Sequence, residues 1–152
     1  MKCRPDDMVL LQLDYGDLTR PSFTLRRERW WSQATNHTPE ILIVYGPKHE
    51  TDRSVFDTSP YVLKPGCTTP DAWDCKGFFV PADRRIQPPW GRSRPGPVAA
   101  KYWDFRSFSV QLHGETTYAC PWTNGIYQPS QINWALPNLL YDEIVVRVRA
   151  AL

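Results

Sequence analysis

The residue types in this chain most able to do chemistry are its cysteines and histidines. His113 stands seven residues before Cys120, and acidic side chains lie nearby at Asp104 and Glu115. A histidine that activates a cysteine nucleophile must touch it in space, and no nucleophile signature surrounds Cys120. Phosphate-cradling loops and dinucleotide fingerprints are also missing. The sequence therefore predicts no catalytic residues and a protein that is not an enzyme.

The cysteines permit either disulfides or free thiols. Four of them, Cys3, Cys67, Cys75 and Cys120, allow two disulfides in three pairings, while an intracellular protein would keep them reduced. No Cys-x-x-Cys pair occurs, and the spacing of Cys67 and Cys75 fits no standard zinc motif. A clamp on the loop between Cys67 and Cys75 explains them better than a reactive site. We predict no metal and no cofactor.

A proline-rich stretch over 82–98 concentrates positive charge around an indole ring. Its candidate contact residues are Arg84, Arg85, Trp90, Arg92 and Arg94. Guanidinium groups beside a ring bind single-stranded nucleic acid, and they also anchor protein interfaces. The net charge of +2 is too small for a general affinity for nucleic acid. We therefore predict a protein partner in preference to nucleic acid, and we place Trp90, Arg92 and Arg94 at the centre of the contact.

The rest of the chain has the composition of a β-rich scaffold for that loop. Its 152 residues suit a single domain, and 41% hydrophobic with 13% aromatic residues are enough for a buried core. Fifteen prolines exclude long helices over most of the chain. No apolar run approaches the roughly 20 residues of a transmembrane helix. The first residues, which carry acidic side chains beside a short apolar run, do not have the pattern of a signal peptide.

Alternation of apolar and polar residues predicts short strands separated by proline-rich loops. A turn at Gly114 and Glu115 would pair the two strands beside it, and 132–143 could form a turn or two of helix. Trp30, Trp103 and Trp134 are expected in the core. The predicted strands cover 8–15, 22–31, 40–46, 76–80, 101–114, 116–122 and 143–152, with loop excursions at 47–66 and 82–98. This pattern is typical of an antiparallel sandwich or barrel.

Four segments in order match the pattern of one viral family. They are LQLDYGD (11–17), WWSQATNHTPEIL (30–42), GFFVP (77–81) and KYWDFRSFSV (101–110). In their order and rough spacing, they resemble the receptor-binding domain of gammaretrovirus-type envelope surface subunits, in a distant or endogenous form. The resemblance implies an immunoglobulin-like β-sandwich with long loop insertions. It also implies disulfide-bonded cysteines and specificity in the two excursions.

Under that resemblance, the function is binding of a host membrane protein by a secreted or virion-surface glycoprotein. Asn36 begins an Asn-His-Thr triplet in a predicted loop, which makes it a candidate glycosylation site. The alternative is an intracellular, phage- or virus-encoded structural or assembly protein that begins at Met1, with a cytoplasmic or virion location. That alternative accounts directly for the absent signal peptide pattern.

Overall fold

The computed structural model describes residues 1–4, 7–11, 18–19, 32–47, 58–71, 73–103, 106–132 and 139–151. The predicted strand at 22–31 lies outside these residues, as do Trp30 and Trp134. Half of the excursion at 47–66, residues 48–57, is outside them as well.

The described residues form a mainly β fold with two sheets and one helix. The strands are β1 (Val9–Leu11), β2 (Leu18–Thr19), β3 (Ala34–Asn36), β4 (Leu42–Pro47), β5 (Thr58–Leu63), β6 (Gly77–Val80), β7 (Arg85–Ile86), β8 (Arg94–Pro95), β9 (Val98–Lys101), β10 (Phe108–His113), β11 (Thr116–Cys120) and β12 (Gly125–Tyr127). Helix α1 covers Tyr141–Ala151. The two-sheet arrangement confirms the prediction of a mainly β sandwich.

The larger sheet has seven strands in the order β12-β9-β6-β4-β5-β1-β2, all paired antiparallel. The predicted strands at 40–46 and 76–80 are confirmed as β4 and β6 at its centre. Ile43 of β4 lies between Val62 and Phe79 of its two neighbours. Such a central position suits the apolar, β-branched sequence of β4.

The smaller sheet has five strands in the order β3-β10-β11-β7-β8. The predicted hairpin is confirmed, since β10 pairs antiparallel with β11 across a turn at Gly114 and Glu115. Gly114 has a φ of 64°, a left-handed conformation that glycine adopts without strain. Two pairings, β3 with β10 and β7 with β11, are parallel and depart from the antiparallel prediction.

The core lies between the two sheets and is rich in aromatic rings. Phe78 of the larger sheet packs against Phe108 of the smaller one, with ring centroids 5.7 Å apart. Trp73, fully buried, meets Tyr61 edge-on at 4.4 Å. A Cβ atom at Gly46 would lie 2.2 Å from the Trp73 ring, so the indole occupies the space that any larger residue would need. These rings are part of one buried cluster to which both sheets contribute.

The C-terminal segment is a helix, so the prediction of a strand over 143–152 is wrong. Ile144 and Val148, one helical turn apart, are buried against the outer face of the larger sheet, whereas Val146 is 67% exposed. A strand would have placed Val146 and Val148 on the same face. The first turn is capped, because the Leu140 N–H donates to the Glu143 carboxylate (2.9 Å) and the Tyr141 N–H to Asp83 Oδ1 (2.9 Å).

Both predicted excursions contain strands. Residues 58–63 of the first form β5, paired along its length with β4. The second was predicted as a loop, and that prediction is wrong for four residues, because Arg85 pairs with Pro95 and Ile86 with Arg94 in a short hairpin. Proline fits β8 because that strand is at the edge of its sheet, where no further ladder bond is needed.

Candidate protein-contact surface

The Cys–His pair is too widely separated for nucleophilic catalysis. His113 lies opposite Thr116 and Cys120 opposite Ser109, at the two ends of the β10–β11 hairpin. Four residues of strand at about 3.3 Å each put roughly 13 Å between Thr116 and Cys120. His113 instead packs its ring edge-on against Tyr118, at 5.2 Å between centroids. Among the described residues, no group of three or more His, Cys, Asp or Glu side chains could hold a metal ion.

The four cysteines are free thiols in different surroundings. The predicted clamp between Cys67 and Cys75 is not formed, and Cys67 instead lies beside Cys3, whose backbone N–H donates to the carbonyl of the adjacent Thr68. Cys75 is fully buried and donates to the Gly77 carbonyl (3.5 Å). Burial raises the pKa of Cys3 and that of Cys75 to about 12, which keeps both protonated. Cys120 is exposed.

Asn36 is a buried structural residue, and this placement is incompatible with a glycan. Its side chain is inaccessible to solvent, and its Nδ2 donates to the carbonyls of Glu40 (2.8 Å) and Leu63 (3.0 Å). Its Oδ1 accepts bonds from the backbone N–H of Thr38 (2.9 Å) and from the Thr38 hydroxyl (2.7 Å). Asn36 Nδ2, the atom that would carry a sugar, is therefore buried inside the fold and donates to two backbone carbonyls.

The hairpin at 85–95 presents the predicted contact residues on a constrained backbone. Arg85 donates to the Ser93 hydroxyl (2.8 Å) and to the Ser93 carbonyl (3.0 Å). Gln87 Nε2 donates to the carbonyls of Pro88 (2.9 Å) and Gly91 (3.0 Å). These side chains tie the two arms of the hairpin together below its tip. Arg85 thus helps to shape the surface rather than extending freely from it.

At the tip of this hairpin, large side chains are open to solvent. Trp90 is 86% exposed, and Arg92 and Arg94 are exposed as well. Neither arginine has a carboxylate partner among the described residues. Gly91 has a φ of 86°, so the turn directly after Trp90 uses a conformation that favours glycine. The prediction that Trp90, Arg92 and Arg94 are surface residues agrees with this placement, and their binding role stays a prediction.

Arg84 does not join this surface. Its Nε and Nη2 atoms donate to both oxygens of Glu40, at 3.1 and 2.8 Å, and its guanidinium stacks over the Tyr141 ring at 4.7 Å. The Glu40 hydrogen bond raises the pKa of Arg84. The Arg84–Glu40 pair joins the turn before β7 to the turn before β4, and the Tyr141 ring connects it to the start of α1, with only about a fifth of the Arg84 and Glu40 side chains exposed. Arg84 therefore has a structural role, and its assignment to the contact surface is corrected.

A second exposed tryptophan lies at the same end of the smaller sheet. Because β7 runs parallel to β11, the hairpin tip is at the end where β11 finishes and β10 begins. Trp103 precedes β10 at this end and is 66% exposed, so its predicted place in the core is wrong. The Trp103 N–H donates to Asn124 Oδ1 (3.0 Å), which fixes the backbone while the indole remains outside. Sequence reasoning missed Trp103 because alternation along 101–114 does not distinguish the inner from the outer face.

The first excursion leaves the larger sheet at the corresponding end. Tyr45 pairs with Gly77, and Gly77 with Lys101, so the end of β4 lies beside the end of β9. Pro47 and Thr58, which flank residues 48–57, are paired there. We call the exposed group of Trp90, Arg92, Arg94 and Trp103 the loop-end surface.

Comparisons with protein-family models, curated proteins and solved structures found no match for this chain. No helix among the described residues is long and apolar enough to cross a membrane.

Proposed function

We propose that this chain is a protein-recognition domain whose loop-end surface contacts the partner. The observation that carries the proposal is Trp90, which is 86% exposed at the tip of a hairpin braced by the side chains of Arg85 and Gln87. Large aromatic residues and arginines are the residue types that dominate binding energy in protein interfaces. A braced loop loses little conformational entropy on binding, which favours affinity. A protein partner accounts for both features.

The more specific form of the proposal follows the envelope resemblance. In that form the chain is the receptor-binding domain of an envelope surface subunit, built as an immunoglobulin-like sandwich, and it binds a host cell-surface protein. The hairpin tip and the paired residues Pro47 and Thr58 that flank residues 48–57 lie at one end of the two sheets, which supports this form, because loops at one end of a β scaffold can form a single contact surface. Arg92 and Arg94 would pair with acidic groups of the receptor.

A second candidate is an intracellular, virus- or phage-encoded structural or assembly protein. The buried Asn36 favours it, because the only role this side chain has in the fold is structural and needs no glycosylation. In this candidate the same loop-end surface binds another subunit of the particle. In both candidates the partner is a protein and not a nucleic acid. Arg84 and Arg85 are engaged within the fold, so only two arginines of the hairpin remain to contact phosphates.

The test is binding of the labelled domain to intact cells, compared with cross-linking to proteins of the particle or cell that produces it. Trp90→Ala is expected to weaken partner binding by about 30-fold or more, the effect of losing an interface anchor worth about 2 kcal/mol. Val146→Ala is the matched control, because Val146 is exposed on helix α1, away from the loop end. Unchanged affinity in Trp90→Ala and in Arg92→Ala would refute the assigned surface. Saturable cell binding supports the receptor form, and cross-links only to co-produced proteins support the assembly form.

A further inference from the structure

Residues 1–3 are joined to the turn that follows β5. The backbone N–H of Cys3 donates to the Thr68 carbonyl (2.7 Å), and the Thr68 N–H donates to the Met1 carbonyl (2.7 Å). Lys2 and Thr68 form a parallel bridge, and Thr68 also forms an antiparallel bridge to Thr35 of β3. The smaller sheet is thus continued by two short segments that are distant in sequence.

This pairing brings two cysteines together on the inner side. Cys3 and Cys67 are each 5% exposed and belong to the same core cluster, whereas Lys2 points outward and pairs with Asp71. Because Cys3 donates its backbone N–H to the carbonyl of Thr68, which directly follows Cys67, the two cysteines lie side by side in that cluster. The surrounding contacts are isolated bridges, not a regular ladder, so the backbone can adjust to a shorter sulfur–sulfur separation.

The other two cysteines have different surroundings. Cys75 donates its thiol proton to the Gly77 carbonyl within the core. Cys120 is exposed on the outer face of the smaller sheet, where its neighbour across the strand pair is Ser109. Of the three pairings that four cysteines allow, the structure thus favours one that includes Cys3 with Cys67.

We propose that Cys3 and Cys67 form a disulfide under oxidising conditions, which covalently joins residues 1–4 to the turn after β5. The oxidant is a low-molecular-weight disulfide such as oxidised glutathione. One cysteine thiolate attacks it and releases one glutathione thiol, and the second cysteine attacks the mixed disulfide and releases the other. The protein loses two electrons and two protons, and two glutathione thiols carry them away.

Burial makes the cross-link slow to form in the intact fold, because the attacking species is the thiolate. Exchange is expected when the short pairing of residues 1–3 with Thr68 opens, which exposes both sulfurs at once. The two cysteines are therefore a modification site independent of the loop-end surface. They would be cross-linked in an oxidising compartment and would remain reduced in a reducing one.

Disulfide mapping after treatment with oxidised glutathione tests the proposal. The protein carries Cys120→Ser, which removes the exposed thiol that could join two molecules. Trypsin has no site between Cys67 and Cys75, so a protease that cleaves after Trp73 is added to separate them. The expected product is a peptide pair joining Cys3 to Cys67, which dithiothreitol releases. Cys75→Ser should retain this pair and Cys67→Ser should lose it.

The second readout is thermal unfolding of the same oxidised and reduced samples. Because the cross-link closes a loop of more than 60 residues, it should raise the melting temperature by roughly 5–10 °C, and Cys67→Ser should abolish the rise. A peptide pair joining Cys67 to Cys75 would overturn the proposal, as would two unmodified thiols after oxidation during refolding. Neither result depends on a binding partner, so the outcome is separate from that of the proposed function.

Discussion

Replacing Asn36 with alanine should be among the most damaging single substitutions of a polar residue in this protein. The Asn36 amide joins β3 to β5 and to the turn before β4, through the carbonyls of Leu63 and Glu40. It also accepts two hydrogen bonds from Thr38. Alanine removes all four bonds and leaves the polar groups enclosed, since Asn36 is inaccessible to solvent and Thr38 is only 8% exposed.

The magnitude follows from the groups that lose their partner. Without Asn36, the Thr38 hydroxyl can donate its proton to the Glu40 carbonyl (2.9 Å), so both the hydroxyl and this carbonyl keep a hydrogen-bond partner. The Thr38 N–H has no such substitute, and the Leu63 carbonyl, which lies opposite Leu42 in the β4–β5 pair, loses one hydrogen bond. At about 1–3 kcal/mol for the stranded N–H and about 1 kcal/mol for the lost hydrogen bond, the loss is roughly 3 kcal/mol, a large share of a typical stability of about 5–15 kcal/mol. For a domain of this size, the melting temperature should fall by roughly 6–12 °C.

Urea unfolding followed by tryptophan fluorescence measures the effect. Gln111→Ala is the matched control, because Gln111 carries the same amide on the exposed face of the neighbouring strand β10, and it should change stability by less than about 0.5 kcal/mol. Asn36→Asp should lose more than Asn36→Ala, because a carboxylate would face the two carbonyl oxygens. A free energy of unfolding for Asn36→Ala equal to that of Gln111→Ala would refute this account of the buried amide.

The local sequence pattern was sufficient to predict the elements that carry their own signal, such as an apolar run or a turn residue. β4 is a continuous apolar run before a turn, and such runs fill central strands. The hairpin of β10 and β11 carries its own turn at Gly114, so its pairing could be predicted from the sequence. The exposure of Trp90 could also be predicted, because Pro88, Pro89 and Gly91 beside it are typical of a turn, where no sheet face covers a ring.

Features that depend on distant residues could not be predicted in this way. Helix α1 contains β-branched residues at an alternating spacing that also fits a strand, and only the sheet face beneath Ile144 and Val148 selects the helix. Arg84 differs from its hairpin neighbours because it pairs with Glu40, which is 44 positions away in sequence. The contact between Cys3 and Cys67 likewise depends on a bridge at Thr68, for which no local pattern exists.

Two further predictions concern the link between helix and sheet and the buried thiol. Arg84→Ala should lower the free energy of unfolding by about 2 kcal/mol, because Glu40 loses a charged two-bond partner, and Arg84→Lys should restore only part of it, as measured by chemical denaturation. Equal stability of Arg84→Ala and the unsubstituted protein would contradict that role. For Cys75, burial raises the pKa to about 12, while an unfolded thiol ionises near about 8.5, so between these values the folded state keeps a proton that the unfolded state loses. Stability should therefore fall above about pH 8.5, by roughly 2 kcal/mol from this group at pH 10, and Cys75→Ala should flatten the decline. An equally steep decline in Cys75→Ala and in the exposed-site control Cys120→Ser would show that the thiolate penalty lies elsewhere. Cys3, whose pKa burial also raises, is present in both variants, so the comparison isolates the contribution of Cys75.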